Sequence, residues 1–281
     1  MNILQQKYET WRLSRKLSDY HPFRVNPSSI NKWLSQYDKS DRKLLIKLLK
    51  RVIYYSEKDV ETFLQRKNEK LLSKLNADGI PNERVIYVTI DETASSSHVM
   101  LNKLRDIGRL ERKGCKFIDS QDLLGLNKVV SELGSGAIVY VDDFVGTGNQ
   151  FCESRDNIAR NIRTVSSNFS EFFLAPCICQ EAVEQLNKRG VVPFTDRIHA
   201  HNERILHADN IDQYLTQNEK NRLIELSRQI DKKYPLGYKN LATMVVIYRN
   251  SPTTTPYILR GCVGQKKFVG ILPRTTDLPA N

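Results

Sequence analysis

The chain has 281 residues, and its 43 Lys/Arg against 32 Asp/Glu give a formal net charge of +11. It is long enough to bury one large core or two modest ones without disulfides, and its five scattered cysteines, an odd number, fit reduced thiols in a cytoplasmic protein. No apolar run approaches the ~20 residues that cross a bilayer and Met1 to Gln6 is too short for a secretory leader, so no membrane partner is expected.

The first third reads as helical. Ser28 or Ser29 can cap a helix that presents Ile30, Trp33, Leu34 and Tyr37 on one face, with a break at Asp38 to Asp41. The spacing predicts a second helix through Leu44, Leu45, Leu48, Leu49, Val52 and Ile53. A third, opened by Ser56 and Asp59 in the manner of a capping box, runs through Val60, Phe63, Leu64, Leu71, Leu72 and Leu75 and stops before Gly79 and Pro81. Residues 1–80 are therefore expected as an α-helical N-terminal region, with 17 Lys/Arg against 9 Asp/Glu. Tyr8, Trp11 and Tyr20 interleave there with Arg12, Arg15, Lys16 and Arg24. Aromatic faces stack on bases and cations meet phosphates, so these four cations are candidate nucleic-acid contacts, although solvated helix faces give the same pattern.

From Arg84 onward strands alternate with helices. Val85 to Ile90 reads as a buried strand, followed by the loop Asp91 to His98 and a helix through Met100, Leu101, Leu104 and Ile107. The small hydroxyl residues Thr93, Ser95, Ser96 and Ser97 suit either an anion or a plain helix cap. A short strand at Phe117 to Asp119 and a helix near Ser120 to Leu133 follow. After the apolar run Ala137 to Val141 come a helix through Ile158 and Ile162, a strand at Glu171 to Cys179, a helix at Gln180 to Arg189 and a strand at Val191 to Ala200. A polar helix at Gln217 to Lys232, a last strand at Ala242 to Tyr248 and the turn-rich segment Asn250 to Pro256 complete the chain. This alternation predicts an α/β domain over residues 81–281, with a mostly parallel sheet flanked by helices. Cys177 and Cys179 read as buried strand residues. His199 and His201 could touch a metal, but no Cys/His cluster has zinc spacing, so no metal ligand is assigned.

The chemistry concentrates at Ala137-Ile138-Val139-Tyr140-Val141-Asp142-Asp143-Phe144-Val145-Gly146-Thr147-Gly148. A β-branched run without polar alternation suits a strand covered on both faces, and such strands present ligands at their carboxyl ends. Asp142 and Asp143 are acceptors able to take hydrogen bonds from ribose hydroxyls or to face a divalent cation through water. Gly146 and Gly148 allow several N–H groups to converge on one anion, Thr147 adds a hydroxyl, and a helix starting near Asn149 adds positive dipole charge. Three other readings stay open. Tyr140-Val141-Asp142-Asp143 matches the YxDD signature of reverse transcriptases, the strand alone matches a Walker B element although no Walker A motif exists, and Gly and Asp also punctuate ordinary turns.

The twelve residues resemble the phosphoribosyl-diphosphate motif of the type I phosphoribosyltransferases. The resemblance implies that Asp142 and Asp143 contact the ribose hydroxyls, as the catalytic pair, and that Val145, Gly146, Thr147, Gly148, Asn149 and Gln150 hold the 5-phosphate. It places the diphosphate loop at Thr93, Ser95, Ser96 and Ser97, and implies Mg²⁺ together with phosphoribosyl diphosphate. One position departs from the pattern, since Gln150 stands where the family usually has Ser or Thr. Gly237 to Leu241, Asn250 to Pro256 and Leu272-Pro273-Arg274 resemble a divergent branch of such domains found in bacterial antiphage and conflict systems, some of them beside retron reverse transcriptases. This adds Lys239, Asn250 and Arg274 as candidates to meet diphosphate or acceptor. It also implies a nucleotide ligand, and a nucleic acid or a reverse transcriptase ribonucleoprotein as partner of the basic N-terminal region.

Overall fold

A computed structural model describes residues 3–21, 23–90, 96–162, 167–207, 214–263 and 268–274. It opens with helices α1 (Ile3–Lys16), α2 (Pro27–Ser35) and α3 (Arg42–Lys50), strand β1 (Ile53–Tyr55) and helix α4 (Glu57–Ala77). Then come β2 (Val85–Val88), α5 (Ser96–Gly108), β3 (Lys116–Ile118), α6 (Leu123–Leu133), β4 (Gly136–Val141), β5 (Phe144–Val145) and α7 (Asn149–Asn161). After them follow β6 (Phe169–Leu174), β7 (Cys177–Cys179), α8 (Gln180–Lys188), β8 (Val191–Phe194) and β9 (Arg197–His199). The last elements are α9 (Gln217–Ile230), β10 (Val245–Ile247), α10 (Tyr257–Arg260), β11 (Cys262–Val263) and β12 (Phe268–Val269). The expected α/β architecture with mostly parallel sheets flanked by helices is present. Among the described residues no helix is long and apolar enough to cross a membrane.

The chain forms two compact units, one of residues Asp59–Ala200 and one that joins Met1–Lys58 to His201–Asn281. This differs from a division at residue 80. The apolar faces of the first three helices are covered by the far end of the chain: Leu17, Trp33, Leu45, Leu48 and Leu49 share one core with Leu223, Met244, Val246, Ile258 and Leu272. Buried hydrogen bonds accompany this packing, from Trp33 Nε1 to Ile258 O at 3.1 Å and from the Tyr20 hydroxyl to Pro273 O at 2.8 Å. The unit of both termini is called the terminal unit below, and Asp59–Ala200 the central unit.

Several element boundaries in the terminal unit move for local reasons. Asn26, not Ser28 or Ser29, caps α2. Its side chain accepts from Ser29 N while Ser29 Oγ accepts from Asn26 N, and Pro27 supplies a preset first-turn φ. The helix expected through Ile53 ends at Lys50, because Ile53-Tyr54-Tyr55 pairs in parallel with Val245-Val246-Ile247. That pairing also takes the last strand away from the main sheet. It starts only at Val245, since Lys239, Asn240 and Ala242 hold φ of 53°, 54° and 49°, which no strand accommodates.

In the central unit five parallel strands lie in the order β3-β2-β4-β6-β8. Every residue of β2 and β4 is buried, as strands covered on both faces require. One face packs Ile86, Ile138, Tyr140 and Phe173 against Leu126 and Val130 of α6, Phe151 and Ile158 of α7, and Leu186 of α8. On the other face Tyr87 stacks on Phe117 with ring centroids 5.5 Å apart and donates to Asn68 Oδ1 of α4 at 2.5 Å. Each fully buried Ile, Leu or Phe contributes roughly 1.5–3 kcal/mol through its removal from water.

The runs Glu171 to Cys179 and Val191 to Ala200, read as single strands, are each divided in two, and a further short strand follows the acid pair. After β4, β6 and β8 the chain breaks at Asp142-Asp143, Ala175-Pro176 and Thr195-Asp196, then resumes as β5, β7 and β9, a second parallel sheet in the same lateral order. Pro176 cannot donate to a ladder, which accounts for the central break. The three interruptions form a row, linked sideways by Asp142 N to Leu174 O at 3.1 Å and by Thr195 Oγ1 to Pro176 O at 3.2 Å. The two carboxylates thus stand in a crease between two sheets, with strand on both sides of them.

Candidate functional site

The first strand of the central unit, β2, has β3 on one side and β4 on the other, so the connections after β2 and after β4 leave the sheet in opposite directions. Such a switch point, at the carboxyl ends of parallel strands, opens a crevice where open α/β sheets bind ligands. Asp142 and Asp143 follow β4 at that point, and the first turn of α5 returns there after β2.

Hydrogen bonds join the two sides. Ser96 Oγ donates to Asp142 Oδ1 at 2.7 Å, and the same oxygen accepts from Asp143 N at 2.8 Å. Ser97 Oγ donates to Val141 O at 2.8 Å and accepts from Ile90 N at 2.9 Å, in a fully buried position. The hydroxyls of Ser96 and Ser97, expected to meet diphosphate, are therefore turned to the protein, where they hold α5 to the end of β4. What that turn offers an anion is its backbone N–H groups at a helix N-terminus. Thr93 and Ser95 lie outside the described residues. Asp143 is buried and Asp142 partly so.

Beyond the acids the chain runs through buried Phe144 and Val145 into Gly146-Thr147-Gly148, and α7 begins at Asn149. Gly148 is the N-cap of α7 at φ 75°. A Cβ there would stand 3.2 Å from Ala182 Cα and 3.3 Å from Ala182 Cβ, so both the left-handed backbone and the closeness of α8 call for glycine. Asn149 N donates to Thr147 Oγ1 at 3.4 Å. Gly148 itself makes no side-chain cap bond, and the Thr147 hydroxyl meets the first amide of α7 in its place. Gln150 is exposed. Because β5 pairs in parallel with β7, the acids are not at the tip of a hairpin, the geometry that the YxDD reading needs.

Two polar clusters of the central unit were not singled out from the sequence. His98 Nε2 lies 2.7 Å from Asp119 Oδ2, beside the end of β3, so the first turn of α5 is tied to both neighbours of β2. Burial works to raise the Asp119 carboxyl, but the Gln121 N–H, His98 and Thr89 outweigh it and hold it below the ordinary carboxylate range. Under the sheet, Glu171 of β6 accepts from Arg155 of α7 through Nε at 3.1 Å and Nη2 at 2.5 Å, and from the Tyr140 hydroxyl at 2.9 Å. The two pairs span 21 and 16 residues and carry no periodic or motif signal, so the sequence alone does not reveal them. A cleft at the amino-terminal edge of the sheet touches Arg155, Glu171 and Arg189, but Arg155 pairs with Glu171 and Arg189 with Asp156. The acid pair lies at the opposite edge, after the carboxyl end of β4.

The remaining candidates belong to the terminal unit. Arg12, Arg15 and Arg24 are exposed. Lys16 is exposed too, but its ammonium donates to Val52 O at 2.5 Å and braces α1 against the end of α3. Lys239 is an exposed residue of left-handed conformation whose ammonium lies 5.7 Å from the Tyr238 ring centroid. Asn250 closes a bridge with Ile247, and Arg274 is half-buried.

A parallel sheet with an acid pair and a Gly-Thr-Gly loop at its switch point defines a phosphoribosyltransferase-like α/β domain. The comparison with family models agrees: residues 30–274 match PRTase-CE, and the chain belongs to that family of phosphoribosyltransferase-like domains. The match starts at Ile30, well before residue 81, and so takes in α2 and α3, which the sequence had set apart as an extension. No curated protein and no solved structure matches the chain.

Proposed function

We propose that the central unit binds a ligand bearing a ribose 5-phosphate, phosphoribosyl diphosphate or a related nucleotide, and acts by glycosyl transfer or hydrolysis at ribose C1. The observation that carries this reading is the Ser96–Asp142 clasp, because it brings the turn after β2 and the acids after β4 to one switch-point crevice. Asp142 and Asp143 accept from the ribose hydroxyls. The amides from Val145 to Gln150, with Thr147 Oγ1 and the α7 N-terminus, surround the 5-phosphate, and the first-turn amides of α5 face the diphosphate. No protein nucleophile is needed, since the chain's task is to fix the 5-phosphate and the diphosphate and to orient the acceptor, or water in hydrolysis, at C1.

Among the described residues no three His, Cys, Asp or Glu side chains gather into a metal cage. The donor set present suits Mg²⁺ carried in by the diphosphate, with Asp142 and Asp143 meeting it through water, as this cation commonly binds. When bound it would neutralise the departing diphosphate.

Calorimetry with phosphoribosyl diphosphate and Mg²⁺ tests the reading. Binding by the native chain, weakened at least about tenfold (~1.4 kcal/mol) in Asp142→Asn and Asp143→Asn, is the expected result. Absence of binding by the native chain, or no change in the variants, overturns it.

Gln150 favours an effector of bacterial antiphage defence, of retron type, over a salvage phosphoribosyltransferase, because an amide replaces a phosphate-binding hydroxyl and the residue is exposed. Loss of phage protection in Asp142→Asn, from a strain protected by the native gene and its neighbours, is the expected outcome. Rescue of a base-salvage mutant would assign the protein to salvage instead.

A further inference from the structure

The positive charge is not shared between the two units. The terminal unit holds 25 Lys/Arg against 12 Asp/Glu, a surplus of 13, whereas the central unit holds 18 against 20. The whole net charge thus resides in the unit that lacks the acid pair, and a surplus of this size draws polyanions.

On this unit α1 displays large apolar side chains to solvent at successive turns: Leu4, Tyr8 and Trp11 are 77%, 59% and 51% exposed. Their i, i+4, i+7 spacing puts them on one face, opposite buried Leu13, Ser14 and Leu17. The Tyr8 and Trp11 rings lie 6.4 Å apart with 32° between their planes, and the Arg15 guanidinium stands 5.4 Å from the Trp11 centroid. Lys7 and Arg12 are exposed beside them. The one acid of α1, Glu9, is turned inward and paired with Lys50 at 2.6 Å. The outer face of the helix therefore combines two aromatic rings with three cations and no carboxylate.

We infer that this face of α1 binds single-stranded nucleic acid, with bases stacked on Tyr8 and Trp11 and phosphates on Lys7, Arg12 and Arg15. Exposed ring faces need unstacked bases, which a duplex does not offer, and cations flanking the rings match the alternation of base and phosphate along one strand. Lys16 has no part in it, because its ammonium is held by Val52 O. The inference is independent of the sugar-phosphate site, since its residues lie in the other unit.

Fluorescence anisotropy with the full chain and labelled oligouridylate, oligodeoxythymidylate and a duplex of matched length tests it over a range of salt. A single strand is expected to bind more tightly than the duplex, and the two labelled strands show whether RNA or DNA is preferred. Trp11→Ala should weaken binding roughly 5- to 150-fold, the effect of one lost base–aromatic stack. The Arg12→Ala, Arg15→Ala double variant should reduce the slope of log K against log salt by about 1.4, for two phosphate contacts. Both changes are at exposed positions, so an unchanged melting curve verifies the fold. No binding at low salt, binding unaltered by Trp11→Ala, or a preference for duplex overturns the inference. Self-association that disappears in Leu4→Ala, without oligonucleotide binding, assigns the face to a second copy of the chain.

Discussion

The Ser96 hydroxyl donates to Asp142 Oδ1 at 2.7 Å, across the point where the sheet order reverses. It is a hydrogen bond to a carboxylate, and it sets the direction of the acid as well as the position of α5. Ser96→Ala removes it at a half-buried site, so stability should fall by only about 1 kcal/mol. Affinity for phosphoribosyl diphosphate should fall more steeply, because Asp142 then loses one of the hydrogen bonds that set its direction. Paired urea and calorimetric titrations separate the two effects, and equal losses in both would reduce Ser96 to a helix-anchoring residue.

Gly148→Ala places a Cβ on a left-handed N-cap against Ala182. The backbone strain costs about 1–2 kcal/mol, and the contact with α8 forces the loop away from its position. Thermal unfolding should therefore show a modest loss. Binding of a ribose 5-phosphate should drop further, since the amides that surround the phosphate move with Gly148. A variant with native affinity would show that these amides are not the phosphate site.

Arg222 of α9 reaches Asp41 with two bonds of 2.9 Å, from Nε and Nη2, and so fastens the C-terminal part of the terminal unit to the start of α3. The Arg222 guanidinium holds the Asp41 carboxyl below the ordinary carboxylate range, against the opposing effect of burial. A carboxyl depressed on folding contributes stability above its unfolded pKa of ~3.9, and that contribution is lost as pH falls through the folded value. Arg222→Met should cost about 1 kcal/mol at neutral pH, because the arginine is partly exposed. The difference between variant and native stability should vanish in acid, as urea titrations at a series of pH values would show. A difference constant with pH would point to lost packing in place of lost charge.

The acid pair and its loop were legible in the sequence because they are consecutive residues. Asp142-Asp143 and Gly146-Thr147-Gly148 are local, and the β-branched run before them states its own burial. The breaks in β6–β7 and β8–β9 left one clear signal, Pro176, which the apolar run from Phe172 to Cys179 concealed. The division into units left none. Leu45, Leu48 and Leu49 show which side of α3 is buried, but a stripe does not tell what covers it, and the covering residues Val246, Ile258 and Leu272 lie some two hundred positions on. The Tyr140 partner of Glu171 was hidden as well, since that contact depends on β4 and β6 being neighbours.

Beneath the site, Arg155, Glu171 and Tyr140 form a buried unit whose parts should not act additively. The Arg155 and Glu171 side chains are 11% and 4% exposed, and Glu171 receives both the guanidinium and the Tyr140 hydroxyl. Arg155→Met strands a carboxylate in the core and should cost about 3–5 kcal/mol. Glu171→Leu takes from the guanidinium its closest carboxylate and leaves it to Arg189 O at 3.4 Å and Asp156 at 3.9 Å, with a smaller loss. The double variant removes both charges, and with Tyr140→Phe added, so that no hydroxyl is left unsatisfied, it should be more stable than either single variant. Tyr140 is two residues before Asp142, and Arg155 lies on the helix that follows the Gly-Thr-Gly loop, so the network ties the strand that carries the acids to the helix that follows the loop. The triple variant should accordingly regain stability without regaining full affinity for phosphoribosyl diphosphate. A urea-denaturation cycle run beside calorimetry tests both parts, and simple additivity of the single losses would show that the three side chains do not form one unit.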